Sequence, residues 1–342
     1  MEITWFCLVA VMIAIYVVLD GFDLGAGIIH LMVARTNAER RTVLRSIGPV
    51  WDGNEVWLLA GGGTLYFAFP ALYASSFSGF YLPLMMVLWL LILRAISIEF
   101  RNHIDSRVWQ PLWDVVFSGA SALLAVFFGA ALGNVVRGVP LDTTGGFFLP
   151  LWTDFTPGRD AGILDWYTVT VGVAALLTLT VHGALWVAMK TEGPVEERAR
   201  RVAARVWWGV AAATVLITLA SFAIQPQLRL SFDAQPWGYI FPLLALVGLI
   251  GMRLMRGAQA FLCSGLFIIG MLTSAAFGVF PYVLPSNADP TMGLTVYNAA
   301  APAYGLKVGL AWFIPGMLLA TGYFVYVYRH FAGKVRLEEE GY

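Results

Sequence analysis

Asp20, Asp23, Asp52 and Glu55 are four carboxylates set inside or against apolar sequence, all within residues 19–57. In a hydrocarbon setting an acid is costly unless it is paired, protonated or wetted. Asp20 and Asp23 stand three apart and share one helix face, a stripe that Gly27 and His30 continue. Gly21, Gly25 and Gly27 leave room for a neighbouring helix or for water. Asp52 and Glu55 repeat the three-residue spacing at the start of the next apolar segment. Asn54 lies between them, and Trp51 and Trp57 are interface anchors. Such acids suit a proton relay or an ion site. A structural reading competes: the acids cap contacts at the interface and bind the short basic loop with Arg35, Arg40, Arg41 and Arg45. Asp52 also fits as an acid at a helix start, where the dipole favours it. The same place beside water is what proton entry needs. Gly61-Gly62-Gly63 falls mid-segment, so it permits close helix approach and implies no phosphate site.

Arg94 sits in the third apolar segment and either pairs with one of these acids or snorkels to the nearer interface. Glu99, five residues on, is off the face of Arg94 and belongs to the following loop. His182 is a lone histidine on an apolar face, which suits a satisfied core side chain better than a ligand. Asp114 reads as a helix-start acid. The four histidines, His30, His103, His182 and His330, are too few for a large metal centre in this chain. Cys7 and Cys263 fall in apolar runs and read as inert packing residues. No nucleophile elbow, phosphate loop, zincin motif or dinucleotide fingerprint occurs in a suitable context. The chain alone does not look like an enzyme with its own redox centre.

The elements that must position these residues are membrane helices. Charged residues are 12% and hydrophobic ones 59%, against about a quarter charged in a soluble domain. Apolar runs fill nearly the whole chain, and the class is an all-α polytopic membrane protein. The first run is read as a retained span rather than a signal peptide, since it is long and holds two aspartates. Nine spans can be drawn, at residues 3–31, 47–69, 77–98, 113–133, 163–189, 202–224, 237–254, 258–284 and 305–328. Asp20 then lies roughly 25 Å along its span, in the half nearer the basic loop. Sixteen Lys and Arg, Arg336 among them, fall in the loops after spans one, three, five and seven and in the tail. The opposite side holds only Arg137, Arg159, Arg229 and Lys307. The N-terminus is therefore expected outside and the C-terminus in the cytoplasm. Phe147, Phe148 and Trp152 in the long outer loop are expected in the interface as an aromatic belt. Formal net charge is zero, and no basic surface suggests nucleic acid.

A weak echo relates Leu19-Asp20-Gly21 to Val181-His182-Gly183, and Phe128-Gly129 to Phe277-Gly278. It suggests two four-helix units and a peripheral ninth helix. The division is 1–134 for the first unit, 135–162 for an outer loop, 163–284 for the second unit, and 285–342 for an outer segment, the ninth helix and a cytoplasmic tail.

Asp20-Gly21-Phe22-Asp23-Leu24-Gly25 followed by Trp51-Asp52-Gly53-Asn54-Glu55-Val56-Trp57 resembles subunit II of the cytochrome bd-type quinol oxidases. Phe77-Ser78-Gly79-Phe80-Tyr81 and the stretch Phe280-Pro281-Tyr282-Val283-Leu284-Pro285-Ser286 fit the same family. The resemblance covers essentially the whole chain. It implies a heterodimeric respiratory oxidase of the prokaryotic plasma (inner) membrane, carrying electrons from membrane quinol to oxygen to make water. The b- and d-type haems are implied in a homologous subunit I, with none of their ligands here. A structural quinone in subunit II and a small single-span accessory subunit occur in some members, and lipids surround the complex. Asp52 matches the mouth of a cytoplasmic proton-uptake route, with Asp20, Asp23 and Glu55 near it and Arg94 as their charge partner. Such uptake makes the enzyme electrogenic without pumping. Membership of a cyanide-insensitive branch is decided by subunit I. Two other readings stand beside this one. A proton- or sodium-coupled secondary transporter explains the acids and the echo, but predicts broken helices at mid-membrane. A pure scaffold pairs every acid with Arg35–Arg45 or Arg94.

Overall fold

The computed structural model describes residues 1–335. Arg336, counted above with the basic tail, lies outside the described residues. The first helix, α1 (Glu2–Val33), has 32 residues and so runs about 48 Å. The segment read as a basic loop is instead a helix, α2 (Asn37–Ile47). Thr36 accepts from the Glu39 backbone while the Glu39 side chain accepts from Thr36, a reciprocal cap. Val43, Leu44 and Ile47 hold α2 down by burying its inner side. A short turn leads to α3 (Trp51–Ala68), then α4 (Pro70–Gly79) opens on a proline and α5 (Tyr81–Phe100) follows. Glu99 is therefore still helical rather than in the loop. α6 (Trp109–Arg137) completes the first half.

The second half starts at α7 (Trp166–Lys190), capped by Asp165, whose side chain accepts from Tyr167 and Thr168. α8 (Gly193–Ile224) begins well before its apolar stretch, so its first turns stand beyond the expected span 202–224. The short α9 (Pro226–Ala234) leads to α10 (Ile240–Leu254) and α11 (Ala258–Val279). Pro281 cannot continue α11, and the chain forms a small antiparallel pair, β1 (Tyr282–Leu284) with β2 (Leu294–Thr295). α12 (Ala303–His330) ends the described fold.

Among the described residues, eight helices are long and apolar enough to cross a membrane. They match the expected spans one and three to nine. At the second expected span stands α3, where Asp52, Asn54, Glu55 and four glycines dilute an 18-residue helix below that apolarity.

α1 and α7 form the centre. α1 meets α3, α6, α7 and α11, while α7 also meets α6 and α8. Their crossing is backbone against backbone: a Cβ added at Gly183 would lie 2.2 Å from the Gly25 carbonyl carbon. His182 and Gly183 thus touch α1 directly rather than only echoing Asp20-Gly21. On the side opposite the basic segment, expected outside, Val139, Leu141, Leu149, Leu284 and Val296 pack under Trp5 and Phe69 and turn the loops into a folded cap. Phe147 departs from the expected aromatic belt, because its ring packs against Phe80 and fills the space over Gly79. Phe148 and Trp152 are exposed. α12 is peripheral: none of its apolar window is buried within this chain. Trp5 Nε1 donating to the Leu306 carbonyl at 3.1 Å is one of its few ties.

Candidate functional site

Three of the four predicted acids converge between α1, α3, α5 and α12. Asp20 and Arg94 are both wholly buried. Arg94 donates from its two terminal nitrogens to the two Asp20 oxygens, at 2.8 and 2.5 Å. This two-toothed pair cancels both charges where neither has water. Pairing, not snorkelling, is the role of Arg94. Its guanidinium also lies 3.7 Å from a Glu55 oxygen, so Glu55 shares the cation at longer range.

Asp23, one turn further along α1, is treated differently. One oxygen accepts from Asn54 Nδ2 at 2.7 Å, and Asn54 Oδ1 in turn accepts from the Tyr328 hydroxyl at 2.8 Å. The other Asp23 oxygen is buried without a hydrogen-bond partner. No cation is within ion-pair distance of Asp23 among the described residues. The Tyr16 hydroxyl, Trp57 Nε1 and Arg94 Nε are likewise buried and unpartnered. These atoms belong to residues in and around the acids, and the cluster around Asp114 has unpartnered atoms of its own, His30 Nδ1 and Arg40 Nε. Tyr16 lies one turn before Asp20 on the same face of α1.

Exposure grades the acids. Asp52 is exposed at the first turn of α3, the Glu55 side chain retains 23%, and Asp20 and Asp23 retain none. The arrangement runs from the surface of this chain to its interior within about two helical turns. Chemically it can accept a proton at the surface and hold one inside, where a carboxyl without a cation is best accommodated neutral.

Asp114 was read as a helix-start acid, and the structure gives it another role. It lies on the second turn of α6, fully buried, and collects three basic side chains. His30 Nε2 hydrogen-bonds to it at 2.6 Å, Arg40 donates to it at 2.7 Å, and Arg101 donates at 2.5 and 3.2 Å. Arg101 also reaches Asn37 on α2 at 2.8 Å. Of the basic segment, Arg40 therefore serves Asp114, while Asp20 takes Arg94 and Asp23 takes Asn54. His30 continuing the Asp20 stripe was the signal available for this second cluster. Its partner Arg101 carried none, because it sits at the end of α5 among loop-like residues.

Two further acids are structural. Arg137 pairs with Asp165 under the outer cap, and its other donors go to Asn134 Oδ1 and to the Gly162 and Gly138 carbonyls. Glu39 joins α2 to α8 through Arg198 at 2.5 and 3.0 Å. The Arg198 guanidinium, helped by the Arg35 and Thr36 amides, holds the Glu39 carboxyl down at about 2.

His182 is a core side chain. Its ring nitrogens meet Ser264 Oγ at 2.7 Å and the Val18 carbonyl at 2.9 Å, and its ring stacks on Phe261. Both nitrogens are engaged by protein, which leaves neither for a metal. Among the described residues no group of three or more His, Cys, Asp or Glu is placed to hold a metal ion.

The sequence model of one family, cytochrome bd terminal oxidase subunit II, matches residues 1–331. The probable cytochrome oxidase subunit 2 of Haemophilus influenzae is 31% identical, over 97% of this chain and 94% of that protein. The cytochrome bd ubiquinol oxidase subunit 2 of Bacillus subtilis is 30% identical, over 89% of this chain and 88% of its own length. The cytochrome bd-I ubiquinol oxidase subunit 2 of Escherichia coli is 29% identical, over 93% and 92%. A chain in the structure of bd oxidase from Geobacillus thermodenitrificans superposes with a TM-score of 0.72 at 18% identity, covering 96% of this chain and 98% of that one. That likeness concerns the fold.

Proposed function

The chain belongs to the cytochrome bd terminal oxidase subunit II family, and we propose that within it this subunit supplies protons to oxygen reduction through Asp52, Glu55 and Asp23. It is a multi-pass protein of the inner membrane and a subunit of a quinol oxidase complex, an oxidoreductase. In this reading the reaction is 2 QH2 + O2 → 2 Q + 2 H2O. The b- and d-type haems, held by subunit I, supply the electron transfer and oxygen chemistry. Quinol protons leave on the outer side, and the protons that form water enter from the cytoplasm. A membrane potential results without pumping.

The observation that carries this reading is the graded exposure of the acids, which ends at a buried Asp23 oxygen without a partner. Asp52 is exposed at the surface of this chain, Glu55 stands one turn inward, and Asp23 is oriented by Asn54 and Tyr328. Arg94 neutralises Asp20 and fixes the wall of the route, so Asp20 is a positioning residue. The orientation with N-terminus outside and C-terminus inside, α3 as the second of nine spans, the two four-helix units with α12 as the peripheral ninth helix, and their boundaries belong to the same proposal. A structural quinone and a single-span accessory subunit are left to the complex. The scaffold reading is favoured at Asp20, by its two-toothed bond to Arg94, and to a lesser degree at Glu55, 3.7 Å from the same guanidinium. The transporter reading loses support from α1, which runs unbroken past Asp20 and Asp23.

The test is turnover of the purified complex at saturating quinol. Asp52→Asn and Asp23→Asn should each lower it by about tenfold or more while haem content stays normal. Unchanged turnover in Asp52→Asn would remove that residue from the route. Loss of haem with loss of turnover would favour the scaffold.

A further inference from the structure

We infer that a cleft between α7, α8, α10 and α11 binds an anionic glycerophospholipid, by its phosphodiester headgroup and the start of one acyl chain. The cleft has a volume of about 150 Å³, and its walls include Val181, Leu185, Ala203, Trp207 and Met252. Arg200, Arg253 and Arg256 line it too. Trp207 Nε1 donates to the Leu249 carbonyl at 2.8 Å, which ties α8 to α10 and fixes one wall.

Charge complementarity decides the occupant. Arg200 pairs with Glu196 at 2.7 Å and still keeps half its surface exposed. Arg253 and Arg256 are exposed, and among the described residues neither has an acidic side chain within ion-pair distance. The site thus offers three guanidinium groups against one carboxylate. Planar guanidinium forks suit the paired oxygens of a phosphodiester. Gly257, with φ +55°, and Ala260 line the same opening, so the first turn of α11, which lacks a side-chain cap, adds amide donors. The apolar walls suit hydrocarbon and not a hydrated free anion, and the basic rim does not suit a neutral chain end. The cleft also lies on the side rich in Arg and Lys, which the positive-inside rule assigns to the cytoplasm, where anionic lipids concentrate. It is separate from the acids between α1, α3, α5 and α12, and the inference does not depend on their role.

Native mass spectrometry of the whole purified complex, exchanged into nanodiscs of phosphatidylcholine with rising fractions of phosphatidylglycerol, tests this. The unaltered complex should retain phosphatidylglycerol in preference to phosphatidylcholine. The double variant R253Q R256Q should lose one retained phosphatidylglycerol and weaken apparent binding by about tenfold or more. Ala204→Phe, which fills the mouth without changing charge, should do the same and decides the matter where the double variant fails to assemble. Equal retention in the unaltered complex and in Ala204→Phe overturns the site. Loss in the arginine variant alone reduces the effect to surface charge and also overturns it. Displacement of the lipid by inorganic phosphate shows a free-anion site, and overturns the assignment to a lipid.

Discussion

Asp20 and Asp23 are one helical turn apart on α1 and have opposite surroundings. Asp20 is locked to Arg94 through both oxygens, whereas Asp23 has an amide on one oxygen and nothing on the other. Removing one partner of a buried ion pair leaves a charge without compensation, which costs about 3–5 kcal/mol. Arg94→Gln is therefore expected to lower the amount and heat stability of assembled complex by that order. Asp20→Asn combined with Arg94→Gln should recover part of the loss, because both charges then vanish together. Equal damage in the single and double variants, measured by thermal unfolding of the complex, would show that the two side chains do not act as a pair. The presence of four acids was plain in the sequence, and so was the need for Arg94 to find a partner. Which acid it takes was not, because Asp20 and Glu55 are both within reach and only the folded arrangement of α1, α3 and α5 chooses between them. Asp114 was misread for the same reason, since its three partners come from three separate segments.

Helix packing explains what periodicity could and could not show. The long apolar runs located α1, α5, α6, α7, α8, α10, α11 and α12, because each is dominated by residues that must avoid water. α2 and α3 were harder. The capping pattern Thr36-x-x-Glu39 was present in the sequence, but the arginines that follow it resemble a loop until Val43, Leu44 and Ile47 are seen buried. α3 is diluted by the very acids that make it of interest. The crossing of α1 and α7 shows the strongest packing constraint, since no side chain separates the helices at Gly25 and Gly183. Gly183→Ala places a methyl 2.2 Å from a backbone carbon of α1, so the helices must separate. A destabilisation of about 1–3 kcal/mol is expected, read as a lower melting temperature of the complex. An unchanged melting temperature would mean that the crossing relaxes without cost.

Across the whole molecule, the surface left open by α3, α5 and α12 stands out. A Cβ added at Gly62 or Gly63 meets nothing within 4 Å, and Leu59, Trp89, Trp312 and Leu319 are at least 60% exposed. Small residues beside large apolar ones are what a tightly apposed helix of another subunit requires. We propose that this face meets subunit I, so that Gly63→Leu should reduce the amount of subunit I that co-purifies while this chain is still made and inserted. Undiminished co-purification would place the interface elsewhere. The two buried acid clusters also differ in the order in which the ribosome delivers them. Asp114 emerges after His30, Arg40 and Arg101, so its partners are already waiting when it enters the membrane. Asp20 emerges 74 residues before Arg94, which at ordinary synthesis rates is a delay of roughly 4–15 s. During that interval the Asp20 carboxylate has no cation, and we propose that α1 settles across the bilayer only once α5 arrives. Nascent chains arrested before Arg94 should leave α1 extractable by alkali, and chains arrested after it should not; early resistance to extraction would show that α1 holds its acids in the membrane alone.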